Sequence, residues 1–219
     1  MTNELKIVCW CDSITAAREV APGDRWPELL ENMLRKKFPQ KKITVINSGV
    51  GGATSRDGLE HFEDDVLSHK PDLVTCEFGN DTLLRADKHV PAEEYYQNLK
   101  KAVHILESQG CKIILMTFPP FNDEDWYKWA SALICKDNLD TYKKYGGINK
   151  FCQPYREKTR LLAKGLSCPL VDLYGIIKAA SGNPAMESPT QPDGVHLTER
   201  GNELTAEAVF DTIAPGLPS

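Results

Sequence analysis

The stretch Ile7-Val-Cys-Trp-Cys-Asp-Ser-Ile-Thr15 is a short apolar run that stops abruptly at Asp12 and Ser13. Strand-like character up to Trp10, followed at once by these polar residues, describes a first strand that delivers a serine to the carboxyl edge of a sheet. Open α/β folds bind ligands at that edge. Ser13 is the candidate nucleophile on this placement, although serine is also common in turns and caps. The far end of the chain supplies its complement, because Asp193-Gly-Val-His196 falls between a loop and a helix. Asp and His three apart can meet side chain to side chain. The carboxylate then holds the imidazole tautomer and leaves the other nitrogen free to take a serine proton. His61, His69, His89 and His104 have no Asp at matching spacing on a loop.

Between these ends the pattern alternates strand and helix. Apolar runs at 6–10, 43–47, 73–78, 112–117 and 170–173 are short and rich in Val, Ile and Leu, as expected of parallel strands buried on both faces. Helical spacing appears at 26–38, which stops before Pro39, and at 92–109, which opens after Pro91 and closes at Gly110. Further helices are expected at 56–68, 148–164, 174–180 and 198–211. Repeated strand–helix units predict a parallel sheet with helices on both faces, a three-layer α/β/α domain.

Four blocks carry a family resemblance: Cys11-Asp-Ser-Ile-Thr15, Asn47-Ser-Gly-Val-Gly-Gly-Ala-Thr54, Gly79-Asn-Asp81 and Asp193-Gly-Val-His196. In this order, each after a strand or before a helix, they resemble the blocks of the GDSL, or SGNH, hydrolases. The resemblance covers nearly the whole chain. It implies a flavodoxin-like five-stranded sheet in the order 2-1-3-4-5 and a serine esterase with Ser13, His196 and Asp193 as catalytic residues. It also implies an oxyanion hole built from the N–H of Ser13, the N–H of Gly52 and the side chain of Asn80, with Gly51 in place of Gly52 if the register shifts by one. Two positions depart from the family pattern. Cys11 stands where glycine usually precedes the Asp-Ser pair, which either crowds the site or sets a thiol beside Ser13. The third block reads Phe78-Gly-Asn-Asp81 against Gly-x-Asn-Asp, so either Gly79 aligns and one residue is missing or Phe78 stands in the glycine place.

The 219 residues, 41% hydrophobic and 26% charged, fit a single domain spanning 1–219. A formal charge of −5 with no basic run argues against a nucleic-acid partner. The N-terminal residues 1–6 are polar and no stretch is long and apolar enough to span a bilayer, so a cytoplasmic protein is expected. Seven cysteines, none in a Cys-x-x-Cys pair, read as reduced thiols. No metal-binding spacing occurs, the glycine-rich block lacks a dinucleotide or phosphate-loop spacing, and no cofactor is implied.

The rhythm breaks at 119–147, an aromatic-rich insertion carrying Phe121, Trp126, Tyr127, Trp129, Tyr142 and Tyr145. Long insertions after a strand often wall a binding site. Phe121, Trp126 and Trp129, with Asp12, are the candidate substrate contacts; the alternative is that the aromatics pack the insertion onto the body. The expected substrate is a small-molecule ester, an O-acetylated carbohydrate for preference. The alternatives are a lysophospholipase or thioesterase of the same family, or a catalytically impaired ligand-binding module.

Overall fold

The computed structural model describes residues 4–85, 88–183 and 185–217; of the polar N-terminal stretch, residues 1–3 lie outside the described residues. Five parallel strands among them form one sheet: β1 (Glu4–Cys11), β2 (Lys42–Gly49), β3 (Leu73–Glu77), β4 (Lys112–Met116) and β5 (Leu170–Val171). Their order is β2-β1-β3-β4-β5, as the resemblance implies. In chain order the helices are α1 (Ser13–Ala16), α2 (Trp26–Lys37), α3 (Ser55–Glu60), α4 (Phe62–Asp65), α5 (Ala92–Ser108), α6 (Asp123–Ala130), α7 (Lys136–Lys144), α8 (Ile148–Leu166), α9 (Leu173–Ser181) and α10 (Glu199–Ile213).

The apolar runs are continuous because both faces of the sheet are covered. Successive side chains of a strand point to opposite faces. Val8 and Trp10 of β1 accordingly join one buried cluster, closed by α3 to α8, while Ile7 and Cys9 join the other, closed by α1, α2, α9 and α10. On α2, Trp26, Leu30 and Leu34 recur every fourth residue and are fully buried. On the opposite side Trp10 meets Phe62 and Phe78 edge to face, with ring centroids 4.7 and 4.8 Å away. Gly58 lets α3 close over this trio, since a β-carbon there would sit 2.6 Å from the Phe78 ring and 2.8 Å from Trp10.

One expectation needs revision. The helix expected over 56–68 is broken at His61 into α3 and α4, followed by a 3₁₀ turn at Leu67–His69. The break puts Glu63, Asp64 and Asp65 in a first turn, where the helix dipole favours negative charge, rather than in the middle of a longer helix. The insertion also has regular structure, α6 and α7. Asn122 caps α6 by accepting from the Asp125 N–H, and Asp123, Glu124 and Asp125 occupy its first turn.

Candidate functional site

The site lies where β1 and β3, neighbours in the sheet but not in sequence, end side by side. Asp12 follows β1 and ties the two edges together. Its Oδ1 accepts the Ile14 N–H at 2.9 Å, capping the short helix that carries Ser13. Its Oδ2 accepts from the N–H of Gly79 at 2.9 Å, the N–H of Asn80 at 3.3 Å and the Asn80 side-chain amide at 3.0 Å. An amide NH2 has two donors, so Asn80 keeps one beyond this bond. From the other side β2 holds the same helix. Asn47 donates to the Thr15 carbonyl at 2.9 Å, and a β-carbon on Gly49 would lie 2.2 Å from the Ala16 nitrogen. Glycine at that position is a packing requirement.

The Ser13 hydroxyl lies 3.1 Å from His196 Nε2, and His196 Nδ1 lies 2.6 Å from Asp193 Oδ2. The other Asp193 oxygen accepts the N–H groups of Val195 and His196 at 2.8 and 2.9 Å, which fixes the carboxylate below the ring. Burial works against the charge on Asp193, but the bonds from His196 and these N–H groups outweigh it and hold its carboxyl below the ordinary range. Burial likewise opposes an imidazolium at His196. The Asp193 hydrogen bond and the charges of Glu19 and Asp193 more than offset it, so the ring is more basic than usual.

Gly194 shapes this loop. Its φ of +72° is left-handed, and a β-carbon would lie 2.5 Å from the Trp126 nitrogen and 2.7 Å from the Asn122 carbonyl. The loop therefore rests directly on the start of α6, and the Asn122 N–H donates to the Gly194 carbonyl at 2.9 Å.

Beside Ser13 opens a cleft of about 420 Å³ counted out to its mouth, walled by Asp12, Glu77, Asn80, Leu83, Phe118, Phe121, Trp126, Trp129 and Val195 among others. All four expected substrate contacts border it. Trp126 is nonetheless fully buried and stacks edge-on against Phe121, Tyr127 and Tyr142, and the Asp12 carboxylate is taken up by protein donors. The aromatics of the insertion thus pack it onto the body and border the cleft as well. Gly52 has a left-handed φ of +75° and lies outside the cleft's lining, as does Gly51.

Cys11 neither crowds the site nor offers a thiolate. β1 runs straight through it, paired with Gly49 and Glu77, and its thiol points at the Thr75 carbonyl, 3.8 Å away. Burial, reinforced by the nearby Glu77 carboxyl, pushes that thiol well above its ordinary value.

Two acidic residues near the site were not singled out by the sequence. Glu77 is buried at the end of β3, where a charged residue closing an apolar strand is a visible signal. Burial and the adjacent Asp12 carboxyl raise its pKa well above the carboxylate range. Glu19 Oε1 lies 3.7 Å from His196 Nε2 through a turn that no sequence pattern announces. Asp81, pushed up to about 7 by burial, accepts from the Ser55 N–H at 2.8 Å and so joins the third block to the helix after the second.

Residues 12–204 match the model of the GDSL-like lipase/acylhydrolase family. The chain belongs to this family. As a GDSL-like lipase/acylhydrolase it is a carboxylic ester hydrolase. The GDSL chain is 28% identical over 203 residues to the uncharacterized lipoprotein YqeF of Bacillus subtilis, covering 89% of this chain and 81% of that one. It is 27% identical over 219 residues to the isoamyl acetate-hydrolyzing esterase 1 homolog of Mus musculus, covering 91% and 77%. Its fold matches that of a variant of Axe2, an acetyl xylan esterase from Geobacillus stearothermophilus, with a TM-score of 0.74 at 22% identity, covering 96% and 94%.

Proposed function

We propose that this GDSL hydrolase cleaves short-acyl, chiefly acetyl, esters of uncharged alcohols through an acyl-serine intermediate. The observation that carries the reading is the unbroken run Ser13–His196–Asp193 at 3.1 and 2.6 Å. His196 takes the Ser13 proton at Nε2 as Oγ bonds to the ester carbonyl carbon. The same proton passes to the alcohol oxygen as the C–O bond breaks. A water deprotonated by Nε2 then attacks the acyl-serine, and the proton returns to Ser13 as the acid leaves. Asp193 keeps Nδ1 protonated and stabilises the imidazolium. The N–H of Ser13, the free amide hydrogen of Asn80 and the N–H of Gly52 are the oxyanion donors in this reading, each worth on the order of 3 kcal/mol. Asp12 acts as the brace that presents two of them.

Support for a short acyl group comes from the size of the cleft, about 420 Å³ out to its mouth. The acetate named for the mouse relative and the acetyl xylan named for the Geobacillus enzyme agree with that choice. The test is hydrolysis of p-nitrophenyl acetate together with fluorophosphonate labelling mapped by mass spectrometry. Ser13→Ala is expected to lose both, with the rate falling on the order of 10⁴-fold or more. A variant that hydrolyses at the wild-type rate, or a label on another residue, overturns the assignment.

A further inference from the structure

Glu19 is a carboxylate beside the proton-carrying nitrogen of His196 that the proposed mechanism does not use. After α1 the chain turns at Ala17, a buried non-glycine residue held at φ 43°, in the left-handed region. Such backbone is costly and persists where the surroundings impose it. The Ala17 N–H is tied to the Ser13 carbonyl at 2.9 Å and its own carbonyl accepts from Val20 at 3.4 Å, so the turn is fixed to the helix that bears the nucleophile. Glu19 sits inside this turn. Its side chain is 32% exposed and its Oε1 stands 3.7 Å from His196 Nε2, against 16% exposure for His196. Neither Glu19 nor His196 is among the residues walling the cleft beside Ser13, so the pair stands together at its margin.

Nε2 is the atom that hands the proton to the departing alcohol, so the alcohol oxygen must come within hydrogen-bond reach of it. Any group attached near that oxygen passes within a few ångströms of the Glu19 carboxylate. The charge stands at a half-enclosed surface, where its field is only partly screened.

We propose that Glu19 is a specificity-determining residue on the leaving-group side of the site, admitting esters of neutral alcohols and disfavouring those whose alcohol carries an anion close to the ester. The inference rests on the reading of Ser13 and His196 given above. It also separates that reading from a lysophospholipase, whose substrate carries its phosphate in the alcohol half. A second consequence concerns the base itself. The groups that bear on the His196 ring are Asp193 at Nδ1, Glu19 and Ser13 at Nε2, Asp12 from the end of β1 and the uncharged Trp129 ring of α6, 6.5 Å away. Neutralising Glu19 removes one of the charges that favour the imidazolium, so the acid limb of kcat/KM moves to lower pH.

The test compares two acetates, para-acetoxybenzoate and its neutral counterpart para-acetoxybenzamide, on wild type, Glu19→Gln and Glu19→Lys. The readout is the ratio of kcat/KM for the anionic over the neutral ester. We expect Glu19→Gln to raise it about fivefold at low salt and Glu19→Lys to raise it further, and we expect added salt to narrow the spread among the three proteins. In the wild type alone the ratio rises with ionic strength, which needs no variant to fold. A ratio that stays the same in both variants overturns the role of Glu19. That result is distinct from failure of the esterase reading, which would show as a Ser13→Ala protein still active on the neutral ester.

Discussion

Glu77 ends β3 with both carboxyl oxygens buried and no hydrogen-bond donor reaching them among the described residues. Its neighbours are the Asp12 and Asp81 carboxyls, with the Arg156 guanidinium only partly offsetting them. Burial, then the adjacent Asp12 carboxyl, push the Glu77 pKa well above the carboxylate range, so the folded chain holds this proton more tightly than the unfolded one. In the unfolded chain it titrates near the ordinary value of about 4.3. Below that pH both states hold the proton and there is no penalty. As pH rises past it the unfolded chain gives up the proton and the folded chain does not, so stability falls with rising pH until Glu77 ionises in the folded state. Glu77→Gln removes the titrating group and with it this slope. Thermal unfolding should show the variant gaining on the wild type as pH rises above about 4.3. A difference that does not change with pH would mean that Glu77 is ionised. At this scale the sequence was informative where spacing carries the chemistry. Asp193 and His196 are three apart on one loop and meet as their spacing implies. Glu19 was illegible because its approach to His196 depends on a left-handed alanine, and alanine carries no turn signal.

Among the elements, the loop 193–196 and helix α6 form one unit through Gly194. A methyl group there would meet the backbone of Trp126 and Asn122, which cannot swing aside as a side chain can, and φ +72° adds strain for any other residue. Gly194→Ala is expected to cost about 2–3 kcal/mol in stability and to lower kcat about tenfold or more by displacing His196. Gly165→Ala in α8 is the control, since a β-carbon there meets nothing within 4 Å and alanine favours the helix. Thermal melts and p-nitrophenyl acetate turnover on the pair check this; equal behaviour would show that the loop does not depend on its seat against α6. Strand positions and helices α2 and α5 were legible because prolines, glycines and apolar spacing punctuate them. The break between α3 and α4 was not, because no proline or glycine marks it and residues 60–65 also suit one continuous helix. In the insertion, the start of α6 is legible in Asn122 followed by three acidic residues.

For the molecule as a whole, alternation of strand and helix was enough for a three-layer fold, while the strand order came from the family resemblance, since periodicity is silent on order. Among the described residues no helix is long and apolar enough to cross a membrane. The seven thiols are all unpaired, and five of them are buried. The small size of the cleft sets the expectation for acyl length. Octanoyl esters should be turned over with kcat/KM about tenfold or more below acetyl esters of the same alcohol. Comparable or higher values for octanoyl would point to an extended groove and a lipase-like substrate.

The seat of the 193–196 loop on α6 bears on how substrate enters. A cap that hinged away at 119–147 would have to let go of the backbone around Asn122 and Trp126, and the imidazole would lose its support at the same moment. Opening of that kind would disarm the enzyme, so esters are expected to arrive through a standing doorway, with the aromatic wall serving as fixed masonry.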